Sequence, residues 1–577
     1  MMASVSQHLW PDQAVDPGPA GCAVAAGLAN TPKKPSVLLL EAGGANEDRN
    51  LRVDGQRWTT FTQPDMNWGY KTAPQAHCAG REIDYARGRG VGGSSTINFG
   101  VYSIGARDDY DEWARVVGDD AFRWERMQPR FKALETFTGE LPAGIDRKYA
   151  APRAEDHGAD GPLRVGYAAE WEEDIPGLLD VFVASGFPLN PDHNSGNPIG
   201  ISALINSSHE GLRTTAKDLV TPRPSNLTIV TGSPVQRLVL DGKKIIGVES
   251  EGERYFASKE VILSAGSLDT PKILLHSGIG PPKQLSEFGI PLVHALEAVG
   301  KGLRDHMWVP LVHTRTESSA SRGSFYGDKQ AMDDALEQWK RDGTGPWSKY
   351  ACETGIAYAK FEDLATYPEF GDLPASEQSY LLSDTVPHYE IFTHFPIHFL
   401  TPDFPPESLN YLCLLVFYYN AQSRGEVTLQ SPDPRVPLKF DPRFLASPFD
   451  RRAAVETLRR ALRVVRHEAY ARDCVELLAG PKSDEDEDLL DYWVHNIGSS
   501  WHMTGTAKMG TPGTGEGEGE GDPDAVVDSD FRVAGIDGLR IADMSVVPIL
   551  PSCHTQAVAY ITGVTCAEKL AQQYELV

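Results

Sequence analysis

Cysteine is scarce and scattered: seven residues in 577, from Cys22 to Cys566, with no C-x-x-C pair. Such spacing suits neither a disulfide framework nor a zinc site, and a reducing, cytoplasmic location is expected. Basic charge is also short, with 54 Lys and Arg against 80 Asp and Glu and a net charge of -26. Phosphate backbones and anionic lipid both need clustered cations, so neither a nucleic-acid nor a membrane partner is expected. The richest apolar run, Tyr411 to Tyr419, falls well short of the about 20 residues that cross a bilayer. The opening MMASVSQHLWPDQ lacks a basic flank and an apolar stretch, so no secretory signal is expected, and YELV is not a peroxisomal tripeptide. No long-period repeat appears, and no third ligand completes a metal site around the histidines. The chain is long enough for a large two-domain enzyme.

What is present centres on Gly88 to Asp111, GRGVGGSSTINFGVYSIGARDDYD. Gly92 and Gly93 have no β-carbon, so a ligand can lie on bare backbone. The N–H groups of such a loop, with Ser94 and Ser95, can cradle a diphosphate or the edge of a polar ring; a tight turn between two elements is the plainer reading.

Other segments add to this. Ala20 to Leu28 reads as a helix entered through Gly18 and Gly21, and Ser36 to Leu40 as a buried parallel strand ending at Glu41. Glu41 is spaced to accept hydrogen bonds from a ribose. The stretch before, His8 to Val15, is polar and contains Pro11, a poor buried strand, and Asp16 stands where a dinucleotide turn has its first glycine. Val235 to Leu240 and Ile245 to Ser250 read as a hairpin about Asp241-Gly242. Ser264 to Gly280 predicts a strand end and then a helix beginning near Pro271, capped by Ser267 or Asp269. Tyr110 to Val117, Trp124 to Phe137, Glu172 to Ser185 and Asp450 to Tyr470 have helical periodicity. The arginines of the last read as a solvated face. Val309 to Phe417 is irregular and aromatic-rich, and Thr511 to Asp524 is a low-complexity acidic loop. His502 and His554 each sit in a turn beside a helix start, and imidazole can take a proton from an alcohol and return it.

Together these segments resemble the glucose-methanol-choline (GMC) family of flavin oxidoreductases. Gly88–Asp111 and Gly266–Gly280 look like its two signatures. Gly302-Leu303-Arg304-Asp305-His306 looks like its N-L-x-D-H element, with Gly302 in place of asparagine. Val527 to Ser545 resembles the final flavin-contacting strand, and the segments around His502 and His554 its active site. The resemblance implies an α/β fold. A Rossmann-like FAD domain would be assembled from residues 1–165, 225–310 and 525–577. An α+β substrate domain with an antiparallel sheet would take 166–224 and 311–524.

It implies FAD as cofactor. Glu41 would hold the adenosine ribose, Gly18 and Gly21 would approach the diphosphate, and Val235 would meet the adenine. Gly92, Gly93, Asn98, Phe99, Gly100 and Val101 would line the flavin and diphosphate, with Asp543 and Gln556 nearby. A primary or secondary alcohol would lose its hydroxyl proton to His502 and its hydride to flavin N5, with His554 bonded to the same oxygen. Oxygen or another acceptor would reoxidise the flavin. A role in secondary metabolism is one expectation. A flavin-containing lyase of the hydroxynitrile type and a degenerate relative with impaired FAD binding are the alternatives. Tyr389, Phe392 and Phe395 would either wall the substrate pocket or fill the core behind a sheet.

Overall fold

A computed structural model describes residues 7–9, 13–15, 18–171, 175–316, 325, 328–349, 355–393, 411–472, 474–512 and 521–577, the first two stretches as backbone. Five parallel strands form one sheet, in the order Leu539–Ile541, Glu260–Leu263, Gln13–Val15, Val37–Leu40 and Leu227–Val230. Val37–Leu40 is buried at every position, as a parallel strand covered on both faces must be. Helix Pro19–Ala29 follows the central strand, packs on the C-terminal helix Gln556–Gln573, and has Pro19 at its first turn. A smaller sheet pairs Arg237–Asp241 antiparallel with Lys244–Ser250 across the Asp241-Gly242 turn. That sheet continues through Glu253–Phe256 to Gln7–Leu9.

The N-terminal stretch corrects the sequence expectation. Gln13–Val15 is the middle strand of the parallel sheet, in register with Gln13 opposite Val37 and Glu260. Three residues of ladder need only backbone N–H and C=O groups, which polar side chains do not forfeit. Asp16 and Pro17 lie outside the described residues.

Val309 to Phe417 is likewise more regular than its sequence suggests. Gly355–Ala359, Tyr389–Thr393, Tyr411–Tyr418, Met307–Arg315 and Cys474–Ala479 pair antiparallel in that order, and Gly498–Ser499 pairs with the start of Met307–Arg315. Period-two alternation splits this sheet. Met307, Val309, Leu311, Ile391, Leu414 and Val416 join the main core, whereas Trp308, Val312, Phe392, Leu415 and Phe417 form a second cluster. Both faces are buried, so the polar alternation that marks a half-exposed strand is missing. Phe395, Phe399 and Phe404 lie outside the described residues.

Helix Pro448–Val465 packs on this sheet. Its arginines are not simply solvated: Arg460 is buried and pairs with Glu456 at 2.8 Å and Asp363 at 2.5 Å. The helix after the second signature runs Gly266–His276 with Pro271 inside it. Its first N–H is taken by Asp543 Oδ2 at 2.9 Å rather than by Ser267 or Asp269.

Buried His157 bonds Glu135 at 2.9 Å through Nδ1 and Asp192 at 3.1 Å through Nε2. Burial opposes a charged imidazole, but the bonds to Asp192 and Glu135 hold its pKa up to about 9. The folded-state value exceeds the ordinary one of about 6.5. This stabilisation is therefore whole below about pH 6.5 and is lost as the pH rises through about 9. Thermal unfolding followed across that window should show the decline, and His157→Gln should remove the component.

Candidate active site

One cleft of about 1840 Å³, its solvent-open part included, runs between the parallel sheet and the six-stranded arrangement. Three helices of eleven residues or more start on it: Gly18 and Pro19 at one, Gly266 and Ser267 at the second, Thr555 and Gln556 at the third. Unpaired N–H groups and the positive dipole end make such a convergence suited to anions. Among the residues singled out from sequence, Gly18, Glu41, Gly93, Asn98, Phe99, Gly100, Val101, Val235, His502, Asp543, His554 and Gln556 line the cleft. Gly21 and Gly92 do not: Gly21 is buried inside its helix, and Gly92 faces Thr96 and the backbone of Lys217.

The residues present fit FAD. Glu41 Oε1 accepts the N–H of Gly43 at 2.6 Å and of Gly90 at 2.8 Å, and the carboxylate lines the cleft. A ribose diol can donate to it. Burial raises the Glu41 carboxyl above its usual range, against those two backbone bonds. Neither backbone polar group of Val235 has a described partner, as an adenine edge requires. Gly93 has φ +51°, and a Cβ on it would meet Gly18 Cα at 2.9 Å. The two backbones therefore form a floor that no side chain obstructs. Asp543 spends its carboxylate inward, on Gly266 N, Thr270 Oγ1 and Ser545 N, and so shapes a helix start.

At the other end the two histidines meet. The rings of His502 and His554 lie 4.8 Å apart at 83°. Their surroundings are aromatic: Phe392 is 5.2 Å and Phe417 5.6 Å from the His554 ring, and Phe61, Phe99 and Trp501 pack on one another opposite. Phe392 lines the cleft; Tyr389 belongs to the core instead.

His502 is held through its backbone and its ring. Its N–H donates to Asp305 Oδ1 at 2.8 Å, and Ser499 Oγ donates to Oδ2 at 2.5 Å. Burial pushes the Asp305 carboxyl up to about 7 against these bonds. The residue before, Trp501, has φ +59°, a strained turn that aims the imidazole. His502 Nδ1 lies 2.9 Å from Nδ1 of the fully buried His306, so one of the two carries the shared proton. His502 Nε2 has no partner among the described residues. Burial, then the neighbouring His554, His306 and Arg87, hold the His502 imidazole well below its usual pKa and therefore neutral.

Two functional residues escaped the sequence reading. His554 Nε2 sits 3.0 Å from Oε1 of Glu390, which has no exposed surface and also accepts from the Tyr419 hydroxyl. The other is His306, quoted only as part of a motif. A lone acid inside the apolar run of Tyr389–Thr393 was the available signal for Glu390.

The family comparison settles the class. Residues 24–308 match the N-terminal GMC oxidoreductase model and residues 421–563 the C-terminal one, which together span most of the chain. The chain is a GMC oxidoreductase. It is a flavin-dependent enzyme, with FAD as its cofactor. It is 30% identical to patulin synthase of Aspergillus clavatus, over 96% of this chain and 90% of that protein. It is also 30% identical to pyridoxine 4-oxidase of Microbacterium luteolum, over 92% and 94%. Among solved structures, a formate oxidase variant from Aspergillus oryzae RIB40, studied for FAD modification, superposes with a TM-score of 0.88. That match covers 100% of both chains at 25% identity. No helix among the described residues is long and apolar enough to cross a membrane.

Proposed function

We propose that this GMC oxidoreductase oxidises a flat, apolar primary or secondary alcohol to its carbonyl, with oxygen or another small acceptor completing the cycle. The observation that carries this reading is the perpendicular His502–His554 pair, 4.8 Å apart, at the aromatic end of the cleft that Glu41 and Gly18 line at the other. The likeness to patulin synthase supports a place in secondary metabolism.

When bound, FAD supplies the oxidising power by accepting hydride from the alcohol carbon. The chain's own residues manage the proton and the charge. His502, neutral, takes the hydroxyl proton on Nε2. That requires Nδ1–H of His502 to donate to His306 Nδ1, so that Nε2 keeps its lone pair. Glu390 accepts from Nε2 of His554 and orients that ring, which hydrogen-bonds the alcohol oxygen as its charge develops. The carbonyl forms as the C–H bond breaks, and the proton on His502 leaves to solvent after product release.

The test is optical. Purified protein should carry a flavin spectrum that an aromatic primary alcohol bleaches under anaerobic conditions; flavin that no member of an alcohol panel bleaches would refute the reading. The tautomer makes a finer prediction. His306→Leu removes the acceptor and should lower turnover about tenfold, the weight of one buried hydrogen bond, whereas His306→Asn offers a carbonyl oxygen and should retain most of it. Equal loss in both variants would contradict the assignment.

A further inference from the structure

Arg57 is a charged residue with no exposed surface that bonds to neither histidine. Each of its three nitrogens is bound: Nε to Asp54 Oδ1 at 2.5 Å, Nη2 to the Ser207 carbonyl at 2.8 Å, and Nη1 to Asn98 Oδ1 at 2.9 Å. The other oxygen of Asp54 accepts from Ser208 Oγ at 2.9 Å. Gly100, with φ +94°, allows the approach, since a Cβ there would sit 2.2 Å from the guanidinium carbon. A buried clamp needs only the ion pair. The third bond reaches the cleft wall, because Asn98 lines it.

The chemistry of that third bond fixes a direction. A guanidinium has donors and no acceptor, so the Asn98 atom facing it must be oxygen. The Asn98 NH2 is then turned the other way, where it donates to Gln556 Oε1. With its carbonyl occupied, Gln556 has its NH2 left, and that group has only a 3.4 Å contact to the Tyr560 hydroxyl. Gln556 also lines the cleft. A side-chain amide can usually exchange its two ends according to its surroundings. Here one immovable donor set removes that freedom from two amides in series.

We propose that Arg57 is a positioning residue that sets the polarity of the Asn98–Gln556 pair, so that Gln556 presents an N–H donor to an acceptor atom of bound FAD. The inference rests on the FAD reading above and adds to it a device for cofactor orientation. Arg57 does so at one remove, from behind the cleft wall. The ion pair with Asp54 keeps the guanidinium in place without a net buried charge.

A double-mutant cycle on the FAD dissociation constant, measured by flavin fluorescence with the full chain, tests it. Arg57→Lys keeps the charge beside Asp54 but not the rigid fork that reaches Asn98. It should weaken FAD about tenfold, as should Gln556→Ala, each at the cost of about one hydrogen bond. If Arg57 acts through Gln556, the double variant binds FAD within about twofold of Gln556→Ala alone. Multiplying losses, or no loss in Arg57→Lys, would overturn the proposal. Should Arg57→Lys not fold, Asn98→Ala cuts the same chain with the ion pair intact and must show the same coupling to Gln556→Ala; independent losses there would overturn it equally. A wild-type chain that binds no FAD would instead sink the cofactor reading itself.

Discussion

Replacing His502 by alanine should slow alcohol-driven flavin reduction roughly 10³-fold while the purified protein stays yellow. The imidazole is held neutral and keeps a free nitrogen, Nε2, at the aromatic end of the cleft. Burial, then the neighbouring His554, His306 and Arg87, keep it unprotonated, so loss of the base at acidic pH should not appear near the ordinary histidine range. The wild-type rate should stay insensitive to His502 protonation there, and any titration near 7 should belong to Asp305, whose carboxyl burial pushes up to about 7. Above that point the ionised carboxylate grips the His502 N–H more strongly, so reduction should quicken as the pH rises through about 7, and Asp305→Asn should flatten this step. Rapid-mixing absorbance at a series of pH values measures both. Retained fast reduction in His502→Ala would remove this residue from the proton transfer.

Glu390→Gln carries the second large effect, a fall in turnover of about 10²-fold, of the order lost with one preorganised group that stabilises a developing oxyanion. The wild-type carboxylate has no exposed surface and lies 3.0 Å from His554 Nε2. An amide of the same shape keeps the packing against Tyr419 and removes the negative charge. The carboxylate that holds the His554 ring is then lost, and the fall should appear in the rate of flavin reduction by the alcohol. FAD affinity should hardly change, since Glu390 does not line the cleft. An unchanged rate of flavin reduction would mean that Glu390 serves packing only.

The glycine-serine loop, Glu41, and both histidines were legible because each is a short local pattern whose chemistry does not depend on distant strands. Glu390, His306 and Arg57 were not. Their partners in the site lie 164, 196 and 41 residues away in sequence, and although Asp54 stands three residues from Arg57, nothing in a local window shows that such a pair is buried. The six-stranded arrangement was hidden for another reason. Strands such as Tyr411–Tyr418 are buried on both faces, so the alternation that reveals a strand is absent and the aromatics look like irregular chain. The Gln13–Val15 strand shows the reverse failure. Gln13 and Ala14 are indifferent strand formers, and the strand's place comes from the flanking Val37–Leu40 and Glu260–Leu263, a tertiary override of local propensity.

The account stands on His502 taking, with His554 beside it, the hydroxyl proton of an alcohol whose carbon gives up hydride to bound FAD. Anaerobic rapid mixing with a benzylic alcohol and with its α-dideuterated form tests that most directly. The account predicts bleaching of the flavin that slows severalfold on deuteration, and that all but vanishes in His502→Ala. Flavin that remains oxidised with both alcohols, or bleaching at equal rates with the two, would contradict it.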